Sequence, residues 1–255
     1  GVDIPAEDVE RILKSLYFGV ERDGDALTVT VPDFRMDVDG EADLSEEVLR
    51  IYGYDKIPGT LLRGETTPGG RNDRMRLKDD LAEQLQGMGF YEIMNFSFVS
   101  PKDIEKLNLP ADDARLKPLQ IRNPLGEDTS VMRSTLAPGM LKTLALNMNR
   151  GNEMARLYEA AAVFDPLHPS AEGLPTETQT LCLGMYGKDA DFYALRGAVE
   201  RLLHHRGIAF EIVAGGESYH HPGRCAKLMH EDKVVCVLGE EHPAVRENFD
   251  MPARA

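Results

Sequence analysis

A run of turn-forming residues divides this chain of 255 amino acids near the end of its first quarter. Residues 64–70 read Gly-Glu-Thr-Thr-Pro-Gly-Gly, which has no apolar periodicity and is rich in residues that interrupt helices and strands. We therefore interpret residues 67–74 as a linker between a small domain, residues 1–66, and a larger domain, residues 75–255. The length suits this division, because it is enough for two separate hydrophobic cores.

Apolar spacing predicts two helices and a strand in the small domain. Pro5 suits the first position of a helix, where its missing N–H costs nothing, and apolar residues follow it at helical spacing. Residues 27–31 alternate apolar and polar, as in a half-buried strand, and Pro32 ends them. A second helix is predicted from Asp43, with Glu46 as the reciprocal partner of a capping box. This combination is typical of a compact helix-turn-helix or winged-helix-like unit.

The large domain mixes helices and strands without a strict βαβ repeat. Helical periodicity is present at residues 77–88, 138–148 and 192–204. Strands are predicted at residues 90–99, 119–121, 156–164, 178–186 and 209–213, and a hairpin at residues 226–238. An α+β domain built around an antiparallel sheet is therefore expected in preference to a Rossmann fold.

Charge and cysteine content exclude several classes of protein. The formal net charge of −14 argues against a surface built mainly to hold nucleic-acid phosphate, because that affinity comes from clustered Lys and Arg. The cysteines form neither an even-numbered disulfide framework nor a Cys-x-x-Cys pair, so a reducing, cytoplasmic compartment is expected. No apolar run is long enough to span a bilayer, so no membrane partner is expected.

The most specific signal is residues 31–37 (Val-Pro-Asp-Phe-Arg-Met-Asp), followed by residues 43–58. Together they closely resemble the winged-helix-like domain of the bacterial-type phenylalanyl-tRNA synthetase β subunit. Further matches follow in the same order along nearly the whole chain, at residues 89–92, 96–99, 123–125, 132–136, 147–150, 156–159, 191–193, 196–197, 221–224 and 239–243. The resemblance implies an internal fragment of that subunit, whose larger domain has a class II aminoacyl-tRNA-synthetase-like antiparallel sheet with flanking helices.

The resemblance also implies a function. In this family an α₂β₂ enzyme carries its aminoacylation site on α, whereas β carries a related class II fold without activity. We therefore expect a structural and interaction module that supports α and tRNA during ATP-dependent aminoacylation. ATP and tRNA would be bound only by the complete enzyme, and the fragment alone would have no activity and no catalytic residues. The family further implies a Mg²⁺ site shared with α, at Asp37, Asp43, Glu46 and Glu47.

The residues themselves leave two interpretations of these acids open. Hard divalent cations prefer carboxylate oxygens, and a helix start can bring Asp43, Glu46 and Glu47 toward one point, with Asp37 on the preceding loop. Alternatively, the same acids cap the helix and offset the positive end of its dipole. The residues alone favour capping, whereas the resemblance favours a metal that binds alongside the partner subunit.

Arg156 and Glu159, in Arg-Leu-Tyr-Glu, resemble the Phe-Arg-x-Glu-type strand with which class II synthetases bind ATP, although two residues separate them here and one residue separates them in that pattern. Adenylation needs cations that neutralise phosphate charge, and no Gly-rich segment followed by a second arginine is visible late in the sequence. We therefore expect Arg156 and Glu159 to form an ion pair within the strand, or an interface contact, instead of an ATP site.

Other candidate sites have a structural interpretation that we favour. The His and Cys residues near the end fit no compact zinc pattern, and no Gly-x-Ser-x-Gly nucleophile motif is present. The helix at residues 138–148 and the run around Arg133 suit either the domain's own core or a subunit contact. A basic cluster is more typical of a solvated helix face than of tRNA phosphate contacts; it comprises Arg71, Arg74, Arg76 and Lys78.

Two further functions stay open. An independent class II-like enzyme that binds an amino acid or adenylate would need ATP binding through Arg156 and a second cation. A winged-helix DNA-binding regulator is opposed by residues 1–66, whose 16 acidic and 7 basic residues give a net charge of −9 where a basic recognition face would lie. No DNA partner is therefore expected.

Overall fold

The computed structural model describes residues 1–24, 26–165 and 173–251. Its backbone contacts separate the chain into two compact units, Gly1–Gly69 (unit 1) and Gly70–Ala255 (unit 2). Residues 58–72 contain no helix or strand. Within the described residues, no helix combines the length and the apolar character that crossing a membrane requires.

Unit 1 contains two helices and a β-hairpin. Helix α1 spans Ala6–Ser15 and α2 spans Glu41–Tyr52, and between them β1 (Gly19–Asp23) pairs antiparallel with β2 (Ala26–Thr30). The helix after Pro5 and the strand before Pro32 are confirmed, whereas β1 was not predicted. One face of each element encloses a small core formed by Ile12, Leu13, Phe18, Val38 and Val48.

The start of α2 corrects the predicted capping. The helix begins at Glu41, two residues before the predicted start, so Asp43 lies inside the first turn. Its Oδ2 accepts hydrogen bonds from the N–H groups of Asp39 and Gly40, each at 2.9 Å. Asp43 therefore satisfies free N–H groups by reaching back toward the preceding loop, and the predicted reciprocal pair of Asp43 with Glu46 is wrong.

Unit 2 is an α+β unit, and its described residues form three small sheets. In the first sheet, β6 is the central strand; it is parallel to β3 and antiparallel to β7. In the second sheet, β9 is the central strand and is antiparallel to both β8 and β10. The third sheet is the antiparallel pair of β4 and β5. The strands are β3 (Tyr91–Glu92), β4 (Phe98–Val99), β5 (Val131–Met132), β6 (Ala155–Asp165), β7 (Thr176–Tyr186), β8 (Glu211–Ala214), β9 (His220–His230) and β10 (Lys233–Glu241). The helices are α3 (Asp73–Gly87), α4 (Pro101–Glu105), α5 (Ala137–Asn149), α6 (Phe192–His205) and α7 (Pro243–Asn248).

Helices cover both faces of the β6–β7 hairpin. Leu157 of β6 belongs to a core that includes Met140 and Leu144 of α5, whereas the next residue, Tyr158, packs in a core with side chains of α3 and α6. This alternation follows from the two-residue period of a strand. Gly184 of β7 permits the close approach of α5, because a Cβ there would lie 2.7 Å from Met140 and 2.8 Å from Leu144.

Several short elements differ from the sequence predictions. The strand predicted at residues 90–99 is divided into β3 and β4, because the N–H of Asn95 between them donates to the Glu159 side chain instead of to a neighbouring strand. The strand predicted at residues 119–121 is only an isolated bridge between Gln120 and Val131. The hairpin at residues 226–238 is confirmed as β9 and β10, which turn at Glu231 with a φ of 53°.

Candidate functional site

A buried ion pair lies at the centre of unit 2. Arg133 is 6% exposed and Glu159 is 2% exposed, and Nη1 of the arginine lies 2.7 Å from Oε1 of the carboxylate. Arg133 also donates from Nε to the carbonyl of Ala162 at 2.9 Å and from Nη1 to the carbonyl of Asn95 at 3.2 Å. Both charges are therefore compensated inside the fold, as buried charges must be.

Asn95 completes this polar network. Its N–H donates to Oε1 of Glu159 at 3.1 Å, and its side-chain amide donates to Oε2 at 2.8 Å. Thr143 of α5 in turn donates its hydroxyl to the Asn95 side-chain oxygen at 3.0 Å. The network thus joins β6, α5 and the segments that precede β4 and follow β5, and every oxygen of the Glu159 carboxylate has a donor.

The predicted ion pair between Arg156 and Glu159 is wrong. Side chains three residues apart on a strand point to opposite faces, and Arg156 donates instead to the carbonyl of Met88 at 3.3 Å. Glu159 takes its cation from Arg133, 26 residues earlier in the chain. Because Arg133 is buried, its side chain is not available to a partner, and α5 packs Met140, Leu141 and Leu144 into the core of unit 2.

In unit 1, Arg35 brings two of the predicted magnesium ligands together. Its guanidinium lies 2.7 Å from Oδ2 of Asp37 and 3.0 Å from Oε2 of Glu47, and the latter oxygen is also 2.7 Å from Arg50. The same guanidinium lies 5.6 Å from the centre of the buried Phe18 ring. Arg35 thus anchors the loop between β2 and α2 onto the helix and the core.

These contacts set the ionisation of both carboxyl groups. The hydrogen bond from Arg35 lowers the pKa of Asp37 to about 2. Hydrogen bonds from Arg35 and then from Arg50 lower the pKa of Glu47 to about 2. Both groups therefore carry a negative charge at neutral pH, and guanidinium groups already balance that charge.

The four predicted magnesium ligands do not form an open cluster in this chain. Arg35 holds Asp37 and Glu47, Asp43 accepts the two N–H groups at the helix start, and Glu46 lies exposed on the surface. Among the residues that the structure describes, no group of three or more His, Cys, Asp or Glu side chains is arranged to hold a metal ion. The chain's own residues therefore do not fit a magnesium ion as they stand, and a site shared with a partner subunit stays a prediction.

A cleft of about 650 Å³ lies in unit 2 between β7 and β10. Burial raises the pKa of the Cys182 thiol to about 12, so this thiol is protonated at neutral pH and is not an activated nucleophile. Burial likewise lowers the pKa of His220 to about 4 and raises that of Glu241 to about 8. The Cys182 thiol, the His220 imidazole and the Glu241 carboxyl group are therefore mainly uncharged at neutral pH, whereas Arg224 and Glu240, which form an ion pair, also line the cleft.

An exposed apolar strip extends from β3 to β4 in unit 2. It consists of Tyr91, Met94, Phe96 and Phe98, which are 74%, 89%, 84% and 49% exposed. Three of the four occupy alternate positions along the chain. Large apolar side chains that are exposed close together in the sequence are typical of a surface that contacts another protein.

The basic cluster of α3 has partners within its own surface. Arg71 pairs with Asp79, Arg76 pairs with Asp73, and Lys78 lies 3.8 Å from Glu92. All these side chains are largely exposed to solvent. The arrangement is that of a solvated helix face, with acidic groups interspersed among the basic ones.

Comparison of the sequence with models of protein families shows which family the chain belongs to. A model described as "Phenylalanyl tRNA synthetase beta chain CLM domain" matches residues 57–255, and one described as "tRNA synthetase B5 domain" matches residues 1–54. The chain belongs to the phenylalanyl-tRNA synthetase β chain family.

Relatives in this family match along the whole chain. The phenylalanine–tRNA ligase β subunit of Clostridium acetobutylicum is 38% identical over 257 residues, which cover 100% of this chain and 32% of the relative. That of Syntrophus aciditrophicus is 39% identical over 272 residues, which cover 100% of this chain and 34% of the relative. The chain thus spans about a third of the length of the β subunits that it matches.

Solved structures confirm the class II synthetase fold within this member of the β chain family. Pyrrolysyl-tRNA synthetase from Desulfitobacterium hafniense superimposes with a TM-score of 0.57 at 17% sequence identity, covering 71% of this chain and 63% of that one. A second structure of the same synthetase gives a TM-score of 0.56. At this identity the similarity establishes the fold alone.

Proposed function

We propose that this chain is a non-catalytic support module of a phenylalanine–tRNA ligase β subunit. The observation that carries the proposal is the buried Arg133–Glu159 pair, because it removes the Glu159 carboxylate from any contact with a substrate. Arg156, the nearest arginine of the same strand, donates to a backbone carbonyl instead. With α5 on one face of β6–β7 and α3 and α6 on the other, the hairpin is a packed core element.

The module supports a catalytic α subunit through its surface. The exposed strip formed by Tyr91, Met94, Phe96 and Phe98 provides aromatic and methionine side chains, which contribute strongly to protein interfaces when they become buried. The α₂β₂ assembly, tRNA and ATP belong to the complete cytoplasmic enzyme, and this chain supplies a positioning surface in that assembly.

The test is the affinity of the chain for a phenylalanyl-tRNA synthetase α subunit, measured by co-purification and isothermal titration calorimetry. We expect a complex that Phe96→Ser weakens at least tenfold, since truncation of a central aromatic side chain at an interface costs about 2 kcal/mol or more. Leu174→Ser is the matched control, because Leu174 is 60% exposed but lies outside the strip. It should change the affinity less than about twofold.

ATP titration separates this proposal from an independent ligase. The chain alone should show no saturable ATP binding, and Arg156→Ala should leave that result unchanged. Saturable ATP binding that Arg156→Ala abolishes, together with no binding of α, would contradict the support role and favour an enzyme.

A further inference from the structure

The backbone that carries the exposed strip has few partners of its own. In the described segment between β3 and β4, no residue belongs to a helix or strand. The N–H of Ile93 donates to the carbonyl of Tyr158 at 2.8 Å. The carbonyl of Ser97 accepts from the N–H of Arg133 at 2.9 Å. Between these two bonds, residues 94–96 make no backbone–backbone hydrogen bond within the described part of the chain, so no sheet holds the centre of the strip in place.

Buried side chains replace a strand partner at Asn95. Its N–H donates to Oε1 of Glu159 at 3.1 Å, and its carbonyl accepts from Nη1 of Arg133 at 3.2 Å. The two partners also bond to each other at 2.7 Å, and each is more than nine-tenths buried. Neither can follow the segment into solvent, because a buried charge that loses its partner is costly. Both backbone polar groups of Asn95 are therefore held by side chains that the core fixes.

The side chain of Asn95 adds a third tether. Its amide nitrogen donates to Oε2 of Glu159 at 2.8 Å, and its oxygen accepts from the hydroxyl of Thr143 at 3.0 Å. Helix α5 packs directly against it, since a Cβ at Gly139 would lie 3.1 Å from the Asn95 amide nitrogen and 3.3 Å from its Cβ and Cγ. A polar network in which each member has its partners is rigid. The side chain of Asn95 is therefore confined between β6 and α5.

This inward direction determines where the neighbouring side chains point. Successive side chains of an extended segment alternate between two faces, so an inward Asn95 directs Met94 and Phe96 outward. The exposures have this pattern: Met94 and Phe96 are 89% and 84% exposed, whereas Asn95 is half-buried. A segment that was free to rotate would turn its apolar side chains toward the protein, because burial of apolar surface is favourable. The polar network opposes that collapse.

The energetics of the buried pair favour a role in addition to stability. A buried ion pair contributes little more to a fold than apolar residues of the same size, because desolvation of both charges offsets their attraction. The distinctive contribution of such a network is one rigid arrangement of the groups that it bonds. The group bonded here is the backbone at the centre of the strip. A surface that is already ordered loses less conformational entropy when a partner docks.

We propose that Asn95 is a positioning residue for the exposed strip, held by Glu159 and Arg133 so that Met94 and Phe96 face the partner before it docks. The inference deepens the proposed function and rests on it, because the α subunit is that partner. Asn95 acts through the backbone that it fixes, and its own side chain lies on the inner face of the segment.

Hydrogen–deuterium exchange of single amides, followed by NMR in the chain alone, tests the positioning directly. After correction for intrinsic rates, the amide of Asn95 should exchange at least about a hundredfold more slowly than those of Met94 and Phe96. The reason is that Asn95 donates to a buried carboxylate, whereas the described residues offer the other two amides no hydrogen-bond acceptor. Equal rates at the three amides would show that the network does not hold the segment.

The affinity for the α subunit, measured by isothermal titration calorimetry, tests the effect on binding. Gly139→Ala places a methyl group against Asn95, whereas the control Gly197→Ala makes the same change in α6, where nothing lies within 4 Å. Alanine favours a helix over glycine, so neither change weakens its own helix. We expect Gly139→Ala to weaken binding at least about threefold and Gly197→Ala to leave it within about 1.5-fold.

Two further variants test the side-chain tether. Asn95→Ala leaves the Arg133–Glu159 pair in place and should weaken binding at least about fivefold. Thr143→Val removes the donor to the Asn95 oxygen and should weaken binding at least about twofold, whereas Thr143→Ser keeps the hydroxyl and should restore it. In a chain that already carries Phe96→Ser, Asn95→Ala should weaken binding by less than about twofold more, because the central aromatic side chain is no longer there to position.

The outcomes separate this inference from the proposed function. Binding that requires Phe96 but tolerates both Gly139→Ala and Asn95→Ala would overturn the positioning role and leave the support role intact. Effects of Asn95→Ala and Phe96→Ser that simply multiply would also overturn it, because they would show that Asn95 acts independently of the strip. If the α subunit does not bind the unmodified chain, both proposals fail together.

Discussion

Replacement of Arg133 with methionine tests the energetic role of the buried network in unit 2. Methionine retains a long apolar side chain but removes the guanidinium, so Glu159, at 2% exposure, keeps only the two donors of Asn95. Removal of one partner of a buried ion pair costs about 3–5 kcal/mol, because a desolvated charge is left behind. For a domain of about 150–250 residues this corresponds to a fall in Tm of roughly 6–20 °C.

The measurement is urea unfolding followed by far-UV circular dichroism, together with calorimetry of the unit 2 transition. The matched control is Arg196→Met, because Arg196 pairs with Glu200 at 2.7 Å but both side chains remain partly exposed, at 33% and 27%. That change should cost only about 0.3–0.5 kcal/mol. Adding Glu159→Gln to Arg133→Met should recover at least about 1 kcal/mol, since the buried charge is then gone. If Arg133→Met costs no more than Arg196→Met, the argument from desolvation is refuted.

Three further predictions concern other residues. Gly184→Val should destabilise the chain by about 1–3 kcal/mol in thermal melts, because a Cβ there would lie 2.7 Å from a side chain of α5; Gly197→Ala, in the helix α6 with nothing within 4 Å, should stabilise it by about 0.5–1 kcal/mol. The pKa of Glu47 is lowered from 4.5 to about 2, so its charged form stabilises unit 1. This stability is present above about pH 5 and is lost as the pH falls through 2. Thermal melts between pH 6 and pH 2 should show the loss, and Arg35→Met should reduce this dependence of stability on pH. Burial raises the pKa of Glu241 from 4.5 to about 8, so the free energy of unfolding falls as the pH rises between these values. Glu241→Gln should therefore stabilise the chain alone by about 1 kcal/mol or more at pH 8 and change its stability little at pH 4. Urea titration at the two pH values measures the difference.

The long elements of unit 2 could be predicted from the sequence because their apolar period is unbroken. The helix at residues 138–148 is observed as Ala137–Asn149, and the strand at residues 178–186 as Thr176–Tyr186. The two-residue strands β4 and β5 have no local signal, since they exist only because each is the other's partner. Strand β1 was missed for another reason: four of its five residues are exposed, so its sequence shows no apolar alternation.

The candidate sites were less predictable than the elements that carry them. The strand period alone excludes a side-by-side pair of Arg156 and Glu159, but it does not identify the cation that replaces Arg156. Arg133 is 26 residues from Glu159 in sequence, and the tertiary fold brings the two segments together, with a backbone hydrogen bond from Phe164 of β6 to the Arg133 carbonyl. Likewise, the spacing of Asp37, Asp43, Glu46 and Glu47 gave no sign that Arg35 would fold back onto two of them.

The network around Glu159 also bears on the order in which unit 2 folds. Its hydrogen bonds connect residues that are 26, 38, 48 and 64 positions apart, so none of them can form until long loops have closed. The cost of desolvating Arg133 or Glu159 is compensated only when both side chains are in place. We therefore expect the network to form after the rate-limiting barrier, so that its loss accelerates unfolding far more than it slows folding, as stopped-flow kinetics of Arg133→Met would show. On this expectation, the buried charges mainly slow the unfolding of a structure that the apolar cores have already assembled.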